Sequence, residues 1–166
     1  MIQEIEILQH AIFEKSNLTI SDLTQDLECE EYAGYNFTLN HYKIKFRKAK
    51  ITPKKIGQFV TLWKRNPETK ETEPFQSDDH FDFYIILTQH ENNLGFFFFS
   101  RKALTQYHIL TSKTKEGKRG FRVYPDWDFP ENRQAEKTKN WQQKSFIYLS
   151  ESNHLEKFQH ILNSEI

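Results

Sequence analysis

The sequence predicts an α/β fold with a mixed central β-sheet flanked by helices. Three observations carry this. Residues 83–87 (FYIIL) and 96–99 (FFFF) are apolar runs without alternation, the pattern of strands covered on both faces. Ile2, Ile5, Leu8, Ala11 and Ile12 near one chain end recur at helical spacing, as do Leu155, Phe158, Ile161 and Leu162 near the other. Two doubly covered strands need a layer on each side, which a bare β-sandwich does not supply. With 166 residues and no repeat, low-complexity segment or composition break, the chain reads as one domain, 1–166.

In chain order, the first helix carries Glu4 and Glu6 in its opening turn, where carboxylates favour the helix dipole, and ends at Ser16 and Asn17. Ser21 and Asp22 are caps for a short second helix or turn. Residues 1–42 are acidic, with Lys15 the only Lys or Arg. Such a face is either solvated or holds a partner, a metal ion or the basic segment that follows. Glu28, Glu30 and Glu31 crowd into four positions and repel unless screened. Phe37 and Leu39, then Ile44 and Phe46, alternate with polar residues on either side of Asn40 and His41, which reads as a hairpin. Lys43, Lys45 and Arg47 then share its opposite face, an arrangement that a lysine-protected edge strand would also show.

Thr52 caps a short helical turn opened by Pro53, with Lys54 and Lys55 beside its exposed N–H groups, a natural phosphate seat. Gly57 returns the chain to the sheet. Phe59, Val60, Leu62 and Trp63 form a buried strand from which Lys64 and Arg65 emerge. Residues 66–76, with Pro67 and Pro74, read as a loop. The acidic stretch of Asp78, Asp79 and Asp82 leads into the first apolar run, residues 91–93 turn, and Ser100 caps a short helix after the second run. Residues 112–122 are basic, with Lys113, Lys115, Lys118, Arg119 and Arg122 against Glu116 alone, and enter a short strand at Phe121, Val123 and Tyr124. Residues 125–130 form an irregular aromatic loop around Trp127. Residues 133–148 and 153–166 are the last two helices.

Charge points to function. The chain holds 23 Lys and Arg against 23 Asp and Glu, yet residues 43–65 hold nine of those cations and no acid. A strong local field on a neutral protein suggests an anionic partner. Lys and Arg bind phosphates without reading sequence, and exposed aromatic rings stack on unpaired bases. Nucleic acid is the expected partner. The residues expected to hold it are Arg47, Lys50, Lys54, Lys55, Lys64, Lys118, Arg119 and Arg122, with Trp127 as the surface aromatic. Lys54, Lys55, Lys118, Arg119 and Arg122 are expected to converge on one face.

Other classes find no support. One Cys builds no disulfide framework and suits a reducing compartment. There is no phosphate-binding loop of the Walker kind, no dinucleotide glycine pattern, no zinc ligand set and no nucleophile elbow. No apolar run is long enough to insert in a membrane. No basic-then-apolar leader opens the chain, so a cytoplasmic protein is expected.

YNFTL (35–39), FRKAKITPKKIGQFVTLWKR (46–65), the Pro74–Phe75 pair, the Asp79 and Asp82 cluster, EGKRGFRVYP (116–125) and a helix ending at Trp141 and Gln142 together resemble the MepB-like family over residues 32–146. That family takes its name from a small cytoplasmic protein encoded beside a bacterial multidrug efflux pump. The resemblance implies a fold similar to restriction-endonuclease-type domains, and nucleic-acid binding. Nucleases of that type place an Asp at one strand end and an acid two residues before a Lys on the next strand, where they hold a divalent metal. Asp82 suits the first role, Asp79 is its substitute, and Glu31 is a further carboxylate; Asp79 and Asp82 are the metal candidates. The next strand offers Gly and Phe in place of the acid–x–Lys pattern, with Ser100 and Lys102 beyond it. A binding domain on a nuclease-like scaffold, without a cofactor, is therefore expected. The alternatives are a metal-dependent nuclease using Mg2+, or a protein-interaction module.

Overall fold

The computed structural model of the chain describes residues 1–164. The chain begins with α1 (Gln3–Leu8), which continues through a π turn (Gln9–Phe13) and a 3-10 turn (Glu14–Ser16). There follow β1 (Ile20–Gln25), a 3-10 segment (Leu27–Tyr32), β2 (Tyr35–Leu39), β3 (Tyr42–Lys48), β4 (Lys50–Ile51), β5 (Gln58–Thr61), β6 (Trp63–Arg65) and β7 (Thr72–Pro74). Next come β8 (Phe83–His90), β9 (Asn93–Ser100), α2 (Arg101–Gln106), β10 (Gly120–Val123), α3 (Arg133–Gln143), β11 (Phe146–Tyr148) and α4 (His154–Ser164). The main sheet has the order β1-β2-β3-β8-β9-β11. Its neighbours are antiparallel except β3 and β8, which are parallel, so the sheet is mixed as the sequence predicts.

Alternation within each strand divides the side chains between two cores. On the first face Phe37, Ile44, Phe46, Phe83, Ile85, Phe96, Phe98 and Ile147 pack against Ile5, Leu8, Ile12 and Phe13 of the first helix and Phe158, Ile161 and Leu162 of α4. On the second face Tyr84, Ile86, Phe97, Phe99 and Phe146 lie under Val60, Leu62, Phe121 and Val123 of a smaller sheet, β10-β5-β4, and under Leu104 of α2. The two apolar runs are doubly covered for this reason. At the β2–β3 end the second face carries Asn36, Thr38, Lys43, Lys45 and Arg47 in place of apolar residues.

Several expectations change. Ser21 and Asp22 belong to strand β1, whose register on β2 shifts between Ser21 and Thr24, with Asp22 at φ 54. The tight β2–β3 turn with Asn40 at φ 55 leaves an edge that β1 covers. Pro53 opens a bend without helix. Residues 66–76 are partly a hairpin, β6 pairing β7. The helix expected over 133–148 stops at Gln143, and β11 pairs with β9, sending Ile147 into one core and Phe146 into the other. A free edge on β9 would leave buried backbone groups unpaired, and tertiary pairing overrides helical spacing there. Of the helix expected over 153–166, residues 165–166 lie outside the described residues.

Candidate nucleic-acid interface

The sequence's charge asymmetry is largely answered within the fold. The acidic segment 26–31 packs against the basic segment 47–65: Asp26 Oδ2 lies 2.6 Å from an Arg47 guanidinium nitrogen, Glu28 Oε1 lies 2.6 Å from Arg65 Nε, and Glu31 Oε2 lies 3.7 Å from Lys50 Nζ. Of the two readings of the acidic N-terminal third, partnership with the basic segment therefore holds for residues 26–31. Lys64 Nζ donates to both Asp79 oxygens at 2.8 Å.

Several residues of the expected interface are engaged inside the fold. Arg47 is 1% exposed, donates to Asp26 and to the Phe46 carbonyl, and cannot reach an external phosphate. Its Nε has no partner among the described residues. Lys64 is committed to Asp79, and Lys50 leans over the Tyr32 ring at 4.8 Å beside Glu31. Arg119 turns away, donating to the Thr72 carbonyl at 3.0 and 3.2 Å. Trp127 is no free stacking surface: its ring meets Phe146 and Tyr148 edge to face at 5.7 and 5.4 Å, and its indole N–H is buried.

The candidate carboxylates are also engaged within the protein. Asp79 also accepts from the Gln76 amide at 2.6 Å. Asp82 Oδ2 accepts from the Lys43 amide at 2.7 Å, while its own amide donates to the Lys43 carbonyl, joining the starts of β8 and β3. Glu31 sits at the exposed 3-10 segment. No three His, Cys, Asp or Glu residues are grouped to hold a metal ion among the described residues.

What the fold does assemble is a cleft of about 670 Å3. Lys54, Lys55, Lys118 and Arg122 all line it, although the two pairs are more than fifty residues apart in sequence. Strand pairing explains the place of Arg122: β10 pairs antiparallel with β5 in the register Arg122↔Phe59 and Val123↔Gln58, which brings the loop before β5 beside the end of β10. Arg122 then clamps that loop, donating to Thr52 Oγ1 at 2.5 Å and to the Gly57 carbonyl at 3.3 Å. Gly57 has φ 88, and a Cβ there would lie 2.7 Å from the Tyr124 ring, so only glycine fits. Lys118 is set by its amide donating to the Ile109 carbonyl at 2.9 Å. None of the four cations has an ion-pair partner among the described residues.

The opposite wall is aromatic and polar. Tyr107 and Trp141 stack at 4.3 Å with 6° between planes, and Trp141 continues to Phe99 of the core at 5.5 Å. Tyr107 is half-buried, lines the cleft and has no second aromatic neighbour among the described residues. Gln142 braces this wall to β10: its amide accepts from the Tyr124 N–H and donates to the Arg122 carbonyl. Burial pushes the Tyr124 phenol above its ordinary range, although Arg122 opposes the shift. The sequence places Tyr124 in a short strand and Trp141 at the end of a helix, and its pattern singles out Trp127 as the surface aromatic instead. Sequence reasoning missed Tyr107, whose partner lies 34 positions away with no local pattern linking them.

No helix among the described residues is long and apolar enough to cross a membrane. No curated protein matches the sequence. The crystal structure of MepB superposes with a TM-score of 0.79 at 32% identity, covering 92% of this chain and 100% of that one. The MepB-like family model matches residues 26–148, which span the second-face layer, both basic segments and the whole cleft. On that match, the chain belongs to the MepB-like family.

Proposed function

We propose that this protein binds nucleic acid in the Lys54–Arg122 cleft, holding phosphates on its cationic side and an unpaired base on the Tyr107–Trp141 stack. The single observation that supports this most is four cations without an ion-pair partner among the described residues, against the one carboxylate of Glu131, in one cleft of a chain whose net charge is zero. Solvation alone would scatter them. A cleft of about 670 Å3 is large enough for a nucleotide. Aromatic stacking is open to bases that are single-stranded or displaced from a helix. The mixed sheet between covering layers supports a restriction-endonuclease-like scaffold, used here for holding and not cutting, in a cytoplasmic protein.

Fluorescence anisotropy across a salt series, with single-stranded DNA, duplex DNA and RNA of equal length, tests the reading. Four phosphate contacts give a slope of log affinity against log salt near −3 for a single strand, at about 0.7 per contact. Substituting Lys54 and Lys55 by Ala should flatten that slope by about 1.4. Absence of binding at low salt would overturn the proposal in favour of a protein-interaction module. Magnesium- or manganese-dependent cleavage, abolished by Asp82→Ala, would replace it with a nuclease.

A further inference from the structure

The alternation of β3 presents Lys43, Lys45 and Arg47 on one face of the main sheet, and burial deepens along that row. Lys43 is exposed, Lys45 is half-buried and Arg47 is buried. Their neutralisation is uneven. Arg47 has Asp26, whereas neither lysine has a carboxylate within ion-pair distance among the described residues. Lys45 Nζ donates to Asn36 Oδ1 at 3.3 Å and sits 4.6 Å from the centre of the Phe75 ring. Lys43 Nζ donates to Thr38 Oγ1 at 3.2 Å. An ammonium has three donors, so each lysine keeps two that the protein does not use.

These donors open on a groove of about 300 Å3 over the uncovered polar end of the sheet. Asp22 and His80 complete its rim, and no residue is shared with the Lys54–Arg122 cleft. Burial first, and Arg47 second, lower the Lys45 ammonium to about 8, with Asp26 and Asp79 acting in the opposite sense. Lys45 therefore remains mostly charged at neutral pH, half withdrawn from water and without a counter-ion. Charge-assisted hydrogen bonds to an oxyanion would satisfy its free donors and oppose its burial penalty together.

We infer a second anion site, in which Lys43 and Lys45, flanked by Asn36 and Thr38, hold one phosphoryl group in the β1–β3 groove. Asp22 stands on the rim of the same groove and limits how much anionic charge it takes, so the site suits one phosphoryl group. A free phosphate ester and a phosphate of a bound strand share this chemistry.

Lysine side-chain NMR on the intact protein tests it, reading Lys43 and Lys45 during titration with inorganic phosphate and separately with a thymidine oligonucleotide, each against chloride at matched ionic strength. Phosphate should move both resonances and raise the Lys45 midpoint by about one unit. A response to inorganic phosphate alone identifies a free phosphoryl compound, and a response to the oligonucleotide as well identifies a strand phosphate; either supports the site. The thermal shift caused by phosphate should vanish in Lys45→Met and persist in the Lys54→Ala/Lys55→Ala protein, which keeps this site separate from the cleft. Lys45 resonances that ignore both additions, or that follow chloride equally, overturn the inference. Should Lys45→Met fail to fold, the native resonances still decide.

Discussion

Two cationic regions built from one stretch of sequence behave oppositely. The row Arg47, Lys45 and Lys64 lies inside or half inside the fold, where Asp26 and Asp79 neutralise two of the three. Lys54 and Lys55, fewer than ten residues from Arg47, stand exposed at a cleft where Glu131 is the one lining carboxylate and neither lysine has an ion-pair partner among the described residues. Lysines and arginines at similar density in the chain thus divide into structural charges and available charges. The dividers are Asp79, which holds Lys64, and the acidic 3-10 segment with its preceding cap Asp26, which contacts β3 and β5. Positive charge in a sequence indicates an interface only after the fold's own acids have been subtracted.

The strongest way to break this comparison is Arg47→Ala. It would leave the Asp26 carboxylate without its partner and open a cavity beside Tyr84 and the Gly34 backbone. Breaking a buried pair from one side costs about 3–5 kcal/mol. Urea denaturation should therefore show a large drop in midpoint. A loss under about 1 kcal/mol would place Arg47 among the available charges.

Lys45→Met separates an uncompensated charge from a paired one, and its sign is the reverse. Because the folded protein holds Lys45 near 8 against 10.5 for the free side chain, the unfolded chain binds the extra proton between those values. Stability from this group is then full above about 10.5 and is lost as pH falls through about 8. The substitution removes that penalty while keeping a linear chain on Phe75. At pH 7 the variant should be more stable than the native protein by about 1–3 kcal/mol, allowing for partial exposure. Equilibrium denaturation at pH 7 and pH 10 checks it: the advantage should shrink toward the higher pH. A variant less stable at pH 7 would mean that hydrogen bonding to Asn36 outweighs desolvation.

Much of the fold was legible because periodicity reports burial directly. The unbroken runs at 83–87 and 96–99, the alternation of β2 and β3, and the Ser100 cap all arise from local rules, and Ser100 Oγ does accept from the Ala103 amide at 3.0 Å. The site was legible only in part. Lys54, Lys55, Lys118 and Arg122 do meet, yet Arg47 and Lys64 sit in equally basic sequence and pair with Asp26 and Asp79, while Arg119 lies outside the cleft lining. Trp127 between two Asp suggested exposure, whereas the missed strand β11 supplies Phe146 and Tyr148 to cover it. Each error concerns a partner distant in the chain, which neither propensity nor spacing encodes.

Gly57→Ala tests whether the open region depends on a defined backbone. The residue holds φ 88, and the added Cβ would press on the Tyr124 ring and the Val123 carbonyl. A destabilisation of about 1–2 kcal/mol is expected, since Ala at positive φ loses more than the entropy it saves. The local consequence should exceed the global one. Displacing the 52–57 loop detaches it from Arg122 and separates Lys54 and Lys55 from Lys118, so oligonucleotide affinity should fall even where the protein remains folded. Unchanged affinity in a folded Gly57→Ala protein would show that the lysines act without the clamp.

The smallest expected effect on stability is the most diagnostic. Lys54 and Lys55 are exposed, lie in a bend and have no ion-pair partner among the described residues. Replacing both with Ala should change unfolding free energy by no more than about 0.5 kcal/mol, the usual limit for surface sites without special contacts. If these lysines repel Lys118 and Arg122 across the cleft, the double variant should be slightly more stable at low salt, and the gain should disappear as screening shortens the reach of charge to about 8 Å at physiological ionic strength. That salt-sensitive gain is the mark of cations gathered against their own repulsion. A protein accepts such repulsion where an anion is expected to relieve it, whereas the buried row needs no outside partner. Thermal melts of native and variant protein at low and high salt read the difference without any ligand. A double variant that is less stable at every salt concentration would mean that Lys54 and Lys55 hold the loop in place, and the contrast between structural and available charge would then fail at the cleft itself.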